Sequence, residues 1–270
     1  HVRSRRQRQM CIRDSVKVVR RLFVVLLVLV FAAGLGVAAW VYQDWDSTKY
    51  LDTKVPGESA PAPYVAINEA GQTSDQLEEW SHEWAPRLGF SARALRAYGN
   101  AEQTLKQTMP ECHLQWTTLA GLAFIESQHG TYGGAQVRAD GTTSHKIRGV
   151  QLDGKHDTQR IRDTDKGVLD GNSQYDVAMG PFQFIPETWR HFGVDANGDG
   201  VANPDNIDDA AVTAGRYLCH NDRDLAVPEQ WQQAILSYNC SMKYVRAVYR
   251  AASAYGQGRG LRWNYLMRKL

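Results

Sequence analysis

The 270-residue chain is 43% apolar and 22% charged, an ordinary globular composition that excludes collagen-like, mucin-like and wholly disordered proteins. Its formal charge of +2 conceals an asymmetry: residues 1–21 hold eight of the 31 basic side chains and one of the 29 acidic ones, so the remainder is acidic by five. An acidic body with no basic stripe along a helical stretch excludes nucleic acid as the main partner.

Residues 22–42 (LFVVLLVLVFAAGLGVAAWVY) carry no charge, and as a helix they would span roughly 31 Å at about 1.5 Å per residue, enough to cross a bilayer. The basic cluster before them, with Asp44 and Asp46 after them and Trp40, Tyr42 and Trp45 as interfacial aromatics, orients the C-terminal bulk outward. The expected location is the cell membrane, single-pass, with the main domain on the extracytoplasmic side. The run is longer than the apolar core of a signal peptide, which favours an uncleaved anchor. Val37 and Ala39 are small residues at a cleavage position and keep a cleaved, secreted form as the alternative. The chain opens on His1, and residues 6–14 (RQRQMCIRD) have the look of translated adapter sequence, which makes residues 1–15 doubtful as protein; a start nearer Val16 would still leave Lys17, Arg20 and Arg21 ahead of the apolar run.

The expected organisation is a basic cytoplasmic leader at 1–21, the membrane segment at 22–42, an extended spacer at 43–72 rich in Pro, Ala, Ser and Thr, and one domain at 73–270. Asp75 and Glu78 have capping-box spacing, and Leu77, Trp80, Trp84 and Leu88 recur at helical intervals. Ser91 caps a second helix carrying Leu95, Tyr98 and Leu105. Further helices are expected at 116–128, 210–218, 231–238 and 242–255. Residues 131–178 are rich in Gly, Asp and Thr and alternate weakly, which predicts an irregular lobe with a short hairpin inside a mainly α domain.

There is no GxSxG elbow, HExxH helix or Rossmann glycine pattern. GVQLDGK at 149–155 opens like a phosphate loop, but His156 stands where Ser or Thr would hold magnesium. Cys219, His220 and Cys240 lack the paired spacing of a zinc knuckle. The informative residue is Glu126, a lone carboxylate at the end of the apolar run 119–125. Burial and a helix C-terminus both oppose its negative charge and raise its pKa, the property that a general acid needs. The alternative is an ordinary glutamate on a polar helix face.

A set of ordered motifs adds to this: AGLAFIES (120–127), AMGPFQFIPETW (178–189), DANGDG (195–200) and LSYNCS (236–241). Together they resemble the lytic murein transglycosylases of the membrane-bound B type over roughly residues 75–256, and the insert at 138–175 resembles the single-pass or secreted Gram-positive forms. The resemblance implies a lysozyme-like, mainly α domain that cleaves the β-1,4 bond between N-acetylmuramic acid and N-acetylglucosamine in peptidoglycan glycan strands. Glu126 takes the position of the family's catalytic glutamate, acting as acid and then as base to leave a 1,6-anhydro ring. Gln183, Tyr238 and Asn239 match cleft residues of the family. Phe184 and Phe182 are candidates for stacking on sugar, with one of the two expected in the core. Ser127 and Asp176 complete the expected substrate-binding set, although the family's polar residue before the Ala-Met-Gly turn has no serine counterpart here.

DANGDG fits the opening of a calcium loop, with oxygens at positions 1, 3 and 5 and glycine at 6, but Asn206 stands at position 12, where an EF-hand has Glu. The resemblance implies a longer loop, with Asp195, Asn197, Asp199, the Val201 carbonyl and Asp209 holding a structural Ca2+. No cofactor is expected for the chemistry itself. The resemblance also implies a disulfide between Cys112 and Cys219, leaving Cys240 free. Two other readings stay open: a hydrolytic muramidase, which needs a second carboxylate such as Asp176 or another acid of the lobe, and a non-catalytic wall-binding module.

Overall fold

The computed structural model describes residues 54–263 apart from Glu58, His156 and Asp157. The expected leader, the membrane segment at 22–42 and the start of the spacer lie outside the described residues. No helix among the described residues is long and apolar enough to cross a membrane.

The described part is mainly helical: α1 (Glu78–Leu88), α2 (Ala92–Thr108), α3 (Trp116–Ser127), β1 (Arg148–Gln151), β2 (Val177–Met179), α4 (Pro186–Phe192), α5 (Ile207–Cys219), α6 (Pro228–Tyr238) and α7 (Met242–Gly256). Ser91 caps α2 by accepting the Ala94 N–H at 3.2 Å. Asp75 does not cap α1. It lies in a preceding 3-10 turn and accepts from Gln72 and Arg96 instead.

Ten of the twelve residues of α3 are buried, so it has no solvent face and forms the centre of the domain. Trp116, Leu119 and Leu122 are almost completely enclosed, each contributing about 1.5–3 kcal/mol by transfer from water. Helix α3 packs along α7, and α2 along α5. Gly121 sets the first approach: a Cβ there would lie 2.9 Å from both the Ala252 nitrogen and the Val248 carbonyl oxygen. The Cys112–Cys219 disulfide ties the turn before α3 to the end of α5, with Cα atoms 5.5 Å apart and a sequence separation of 107. Closing a loop of that length stabilises the fold by about 4–5 kcal/mol in the chain-entropy account.

The last part of the expected spacer belongs to the domain. Ala62 and Val65 are buried. Glu102 accepts the Ala62 N–H, Gln103 donates to the Ala62 carbonyl at 2.7 Å, Gln107 donates to the Val65 carbonyl at 2.8 Å, and Trp116 donates to the Ala60 carbonyl at 3.1 Å. Side chains of α2 and α3 thus capture an extended stretch whose described residues 60–65 make no backbone–backbone hydrogen bonds. Packed structure therefore begins ahead of Thr73.

Residues 131–178 form the irregular lobe; β1 and β2 pair antiparallel in it, but residues 152–176 lie between them, so they are a two-stranded ribbon rather than the expected short hairpin. Charges anchor it to the start of α5: Arg93 forms a bidentate, buried pair with Asp208 and donates to the Ala139 carbonyl, and Arg148 grips Asp205 at 2.6 and 3.0 Å.

Candidate active site

Glu126 is the penultimate residue of α3, and the chain breaks away sharply after it. Gln128, His129 and Gly130 all have left-handed backbone, with φ of 54°, 64° and 78°. Two buried devices hold this turn. Ser127 Oγ donates to the Pro181 carbonyl at 2.6 Å and accepts the Gly130 N–H at 2.8 Å. The His129 ring stacks on Phe90 at 3.9 Å and bridges the hydroxyls of Tyr98 and Tyr255 at 3.1 and 2.9 Å. Burial pushes the His129 pKa down to about 3, so the ring is neutral, accepting from one tyrosine and donating to the other.

The carboxyl of Glu126 lines a cavity of about 620 Å3. One wall is β1 and the irregular lobe segment after it, with Gly149, Val150, Leu152, Thr158, Gln159 and Ile161. The opposite wall is the end of α6, with Leu236, Ser237, Tyr238, Asn239 and Cys240. Gln183, Phe184, Ile185 and Thr188 lie between them. Among the described lining residues, Glu126 is the one acidic or basic side chain. Desolvation pushes its pKa up to about 7, against the opposing effect of the Tyr244 hydroxyl, which donates to Oε1. A protonated carboxyl is therefore available near neutral pH. The same burial, together with the nearby Glu126 charge, holds the Tyr238 and Tyr244 hydroxyls well above the ordinary tyrosine value, so both are neutral donors.

Tyr244 lies in the first turn of α7, and no residue pattern in the sequence singled it out. It reaches Glu126 because α3 and α7 run antiparallel: Gly121 abuts Val248 and Ala252, so a residue one turn earlier in α7 meets a residue later in α3. Ser241 fixes where α7 begins by accepting the Tyr244 N–H.

Four of the expected substrate-binding residues line the cavity. Gln183 has φ of 51° and donates from Nε2 to the Gly180 carbonyl at 2.8 Å, which orients its amide. Phe184 has its ring 5.7 Å from that of Tyr238. Tyr238 donates to the Phe182 carbonyl at 2.5 Å, and Asn239 is exposed. This tight loop depends on Gly180, whose φ is 71° and where a Cβ would lie 1.8 Å from the Pro204 carbonyl oxygen. Phe182 is fully buried and meets Tyr98 edge-on at 5.9 Å, while Phe184, although it lines the cavity, is itself only 3% exposed.

Two of the expected binding residues lie elsewhere. Ser127 is buried and spends its hydroxyl on Pro181 and Gly130. Asp176 is buried and accepts both the N–H and the hydroxyl of Thr164, each at 2.8 Å. Neither lines the cavity. A local motif shows that polar groups are present, whereas the turn geometry decides which of them face inward. Cys240 is exposed and free, as expected.

The DANGDG loop wraps around Asp195 and Asp209. Asp195 accepts the N–H groups of Gly198, Asp199 and Gly200, and Asp209 accepts those of Ala196, Asn197 and Asn203. Asp209 is fully buried, and desolvation pushes its pKa up to about 6. An all-oxygen donor set around a buried carboxylate suits a hard cation in kind. Among the described residues, the group of acidic side chains whose oxygens lie within 4.8 Å of one another is a different one, Asp163, Asp165 and Asp176.

Residues 159–224 match the family model of the transglycosylase SLT domain. No curated protein and no solved structure gives a match. The matched segment contains Gln183, Phe184 and the whole 195–209 loop, and both Glu126, which precedes it, and Tyr238, which follows it, lie outside it. That match likens residues 159–224, within a mainly helical domain whose cavity is lined by one carboxyl, to transglycosylase SLT domains.

Proposed function

We propose that the protein is a peptidoglycan lytic transglycosylase of the membrane-bound B type, cleaving the β-1,4 bond between N-acetylmuramic acid and N-acetylglucosamine without water. The observation that carries this reading is Glu126: a carboxyl on a cavity wall, held by Tyr244 and protonated near neutral pH.

In the first step Glu126 gives its proton to the glycosidic oxygen as the bond from muramyl C1 to that oxygen breaks, and the substrate's own N-acetyl group stabilises the cationic centre. In the second, the Glu126 carboxylate takes the proton of the muramyl C6 hydroxyl as that oxygen bonds to C1, closing the 1,6-anhydro ring and restoring the acid. Tyr244 holds Oε1, which leaves Oε2 to carry the proton in both steps. Gln183, Tyr238 and Asn239 orient the sugars, and Phe184 offers an apolar face. A hydrolase would need a second carboxylate at roughly 5–9.5 Å, and none of the described lining residues is one.

The reading extends to a Ca2+ held by Asp195, Asn197, Asp199, Val201 and Asp209, which would fasten the loop to α5 and play no part in the chemistry. It also extends to an extracytoplasmic domain anchored through residues 22–42, or released if that segment is cleaved. Mass spectrometry of the sugars freed from purified sacculi tests the chemistry, with Glu126→Gln alongside. Anhydro-muramyl products from the parent alone are expected. Reducing-end products would make the protein a hydrolase, and binding without release would make it a wall-attachment module.

A further inference from the structure

The lobe wall facing Glu126 carries a feature that catalysis as described does not use. In β1, Arg148 pairs with Met179 and Gln151 with Val177, so three residue steps on one strand face two on the other. The extra residue is a bulge at Gly149 and Val150, and bulges turn a side chain out of its regular direction. Gly149 allows the strand to close on Gln183, whose Oε1 would be 3.0 Å from any Cβ there. Val150 lines the cavity and is 67% exposed. Half-buried Leu152 and Ile161 line the same wall and are joined by an Ile161 N–H to Leu152 carbonyl bond of 2.8 Å. The wall is built to stay in place, since Arg148 at the start of β1 is clamped on Asp205.

Three aliphatic side chains on one face of a cleft form a patch that gains by being covered. Among the described lining residues Glu126 is the one charged group, and those of this wall are apolar or neutral. Resting on the transglycosylase reading, we infer that Val150, Leu152 and Ile161 form a subsite for an uncharged, methyl-bearing acyl arm of the glycan. Two groups have that chemistry, the N-acetyl group of the glucosamine and the lactyl-alanyl start of the stem peptide.

The test is the steady-state kinetics of the full chain on soluble glycan oligomers, comparing the parent with Val150→Asn and Val150→Ile. Because Val150 is exposed, neither change should move the unfolding midpoint. Val150→Asn is expected to raise KM about tenfold with kcat within about twofold, the equivalent of about 1.4 kcal/mol of binding, while Val150→Ile keeps the parent KM. Oligomers stripped of stem peptides and oligomers lacking only the glucosamine N-acetyl groups, which keep the muramyl N-acetyl group that the first step uses, separate the two sources. Whichever treatment closes the KM gap between parent and Val150→Asn identifies the arm that rests on the wall. An unchanged KM in Val150→Asn, or a gap that survives both treatments, overturns the inference. A parent that releases no anhydro-muramyl product from any oligomer would instead bring down the transglycosylase reading itself.

Discussion

The side of the cavity that carries Glu126 is held by apolar packing, whereas the facing wall is held by charges and by carboxylates that gather backbone N–H groups. On the first side, α3 and α7 touch backbone to backbone at Gly121, and the aromatic rings of Phe90, Phe124 and Tyr255 surround His129. On the second, Arg148 grips Asp205, Asp165 collects the N–H groups of Gly167 and Leu169, and Asp176 collects that of Thr164. Close packing is strict about distance and transmits any strain, so it suits a carboxyl and a hydroxyl that must stay in contact. Polar anchors act one at a time and leave a wall that can be altered without disturbing the core. Changes on the helical side should therefore strike kcat and global stability together, and changes on the lobe side should strike KM.

The largest expected effect is that of Glu126→Gln, which keeps the shape and removes the proton. Activity on sacculi should fall by about 10²–10⁴-fold. Stability should move the other way. The folded-state pKa of Glu126 is raised to about 7, so its contribution to stability is intact below about pH 4.5 and is lost as pH rises through 7. The variant should thus unfold later than the parent at pH 8, by roughly 1–3 kcal/mol after allowing for its partial exposure, and equally at pH 4.

Next in size is Gly121→Ala. Its methyl group would meet the Ala252 nitrogen and the Val248 oxygen at 2.9 Å, and backbone atoms cannot turn aside as a side chain can. Thermal unfolding should show a loss of about 1–3 kcal/mol, with kcat reduced because α7 carries Tyr244 away from Glu126. Arg148→Met should cost less in the same measurement, about 1–2 kcal/mol, since the Arg148–Asp205 pair is partly solvated, at 18% and 12% side-chain exposure. Its main effect should be a raised KM at nearly constant kcat. If both variants lowered kcat alike, the contrast between the two walls would fail.

The sequence made the helical side legible and the lobe side much less so, for a physical reason. Helix periodicity, the Ser91 cap and an unbroken apolar run ending in Glu126 are local signals, and the structure has α2 and α3 where they are expected. Tyr244 could not be read, because it lies 118 residues from Glu126 and looks like any aromatic on an amphipathic helix. The bulge at Val150 depends on pairing between strands and has no residue signature. Ser127 and Asp176 look like cleft residues in sequence because polarity next to a motif is visible, whereas the buried N–H groups that claim them are not. Residues 60–66 read as spacer because they lack apolar periodicity. What orders them is Glu102, Gln103 and Gln107, far away in sequence.

The smallest expected effect is the most specific, because it separates packing from hydrogen bonding within the helical side. Tyr244→Phe keeps the ring in place and removes one hydroxyl. That hydroxyl donates to Glu126 and so favours its charged form, opposing the burial that raises its pKa. Without it, burial acts alone and Glu126 holds its proton to higher pH. In the parent, kcat/KM should fall as pH rises through about 7, where the free enzyme loses the acid. In the variant this alkaline limb should move upward by about one pH unit, since a hydrogen bond to a charged group contributes about 1.5 kcal/mol and one pH unit corresponds to 1.36. Below pH 6 the two profiles should differ by no more than about tenfold, because the acid is present in both and only the carboxylate of the second step is less well held. A limb that stays at pH 7 would mean that Tyr244 only fills space, and one that moves downward would mean that it accepts from a protonated Glu126 rather than donating to it.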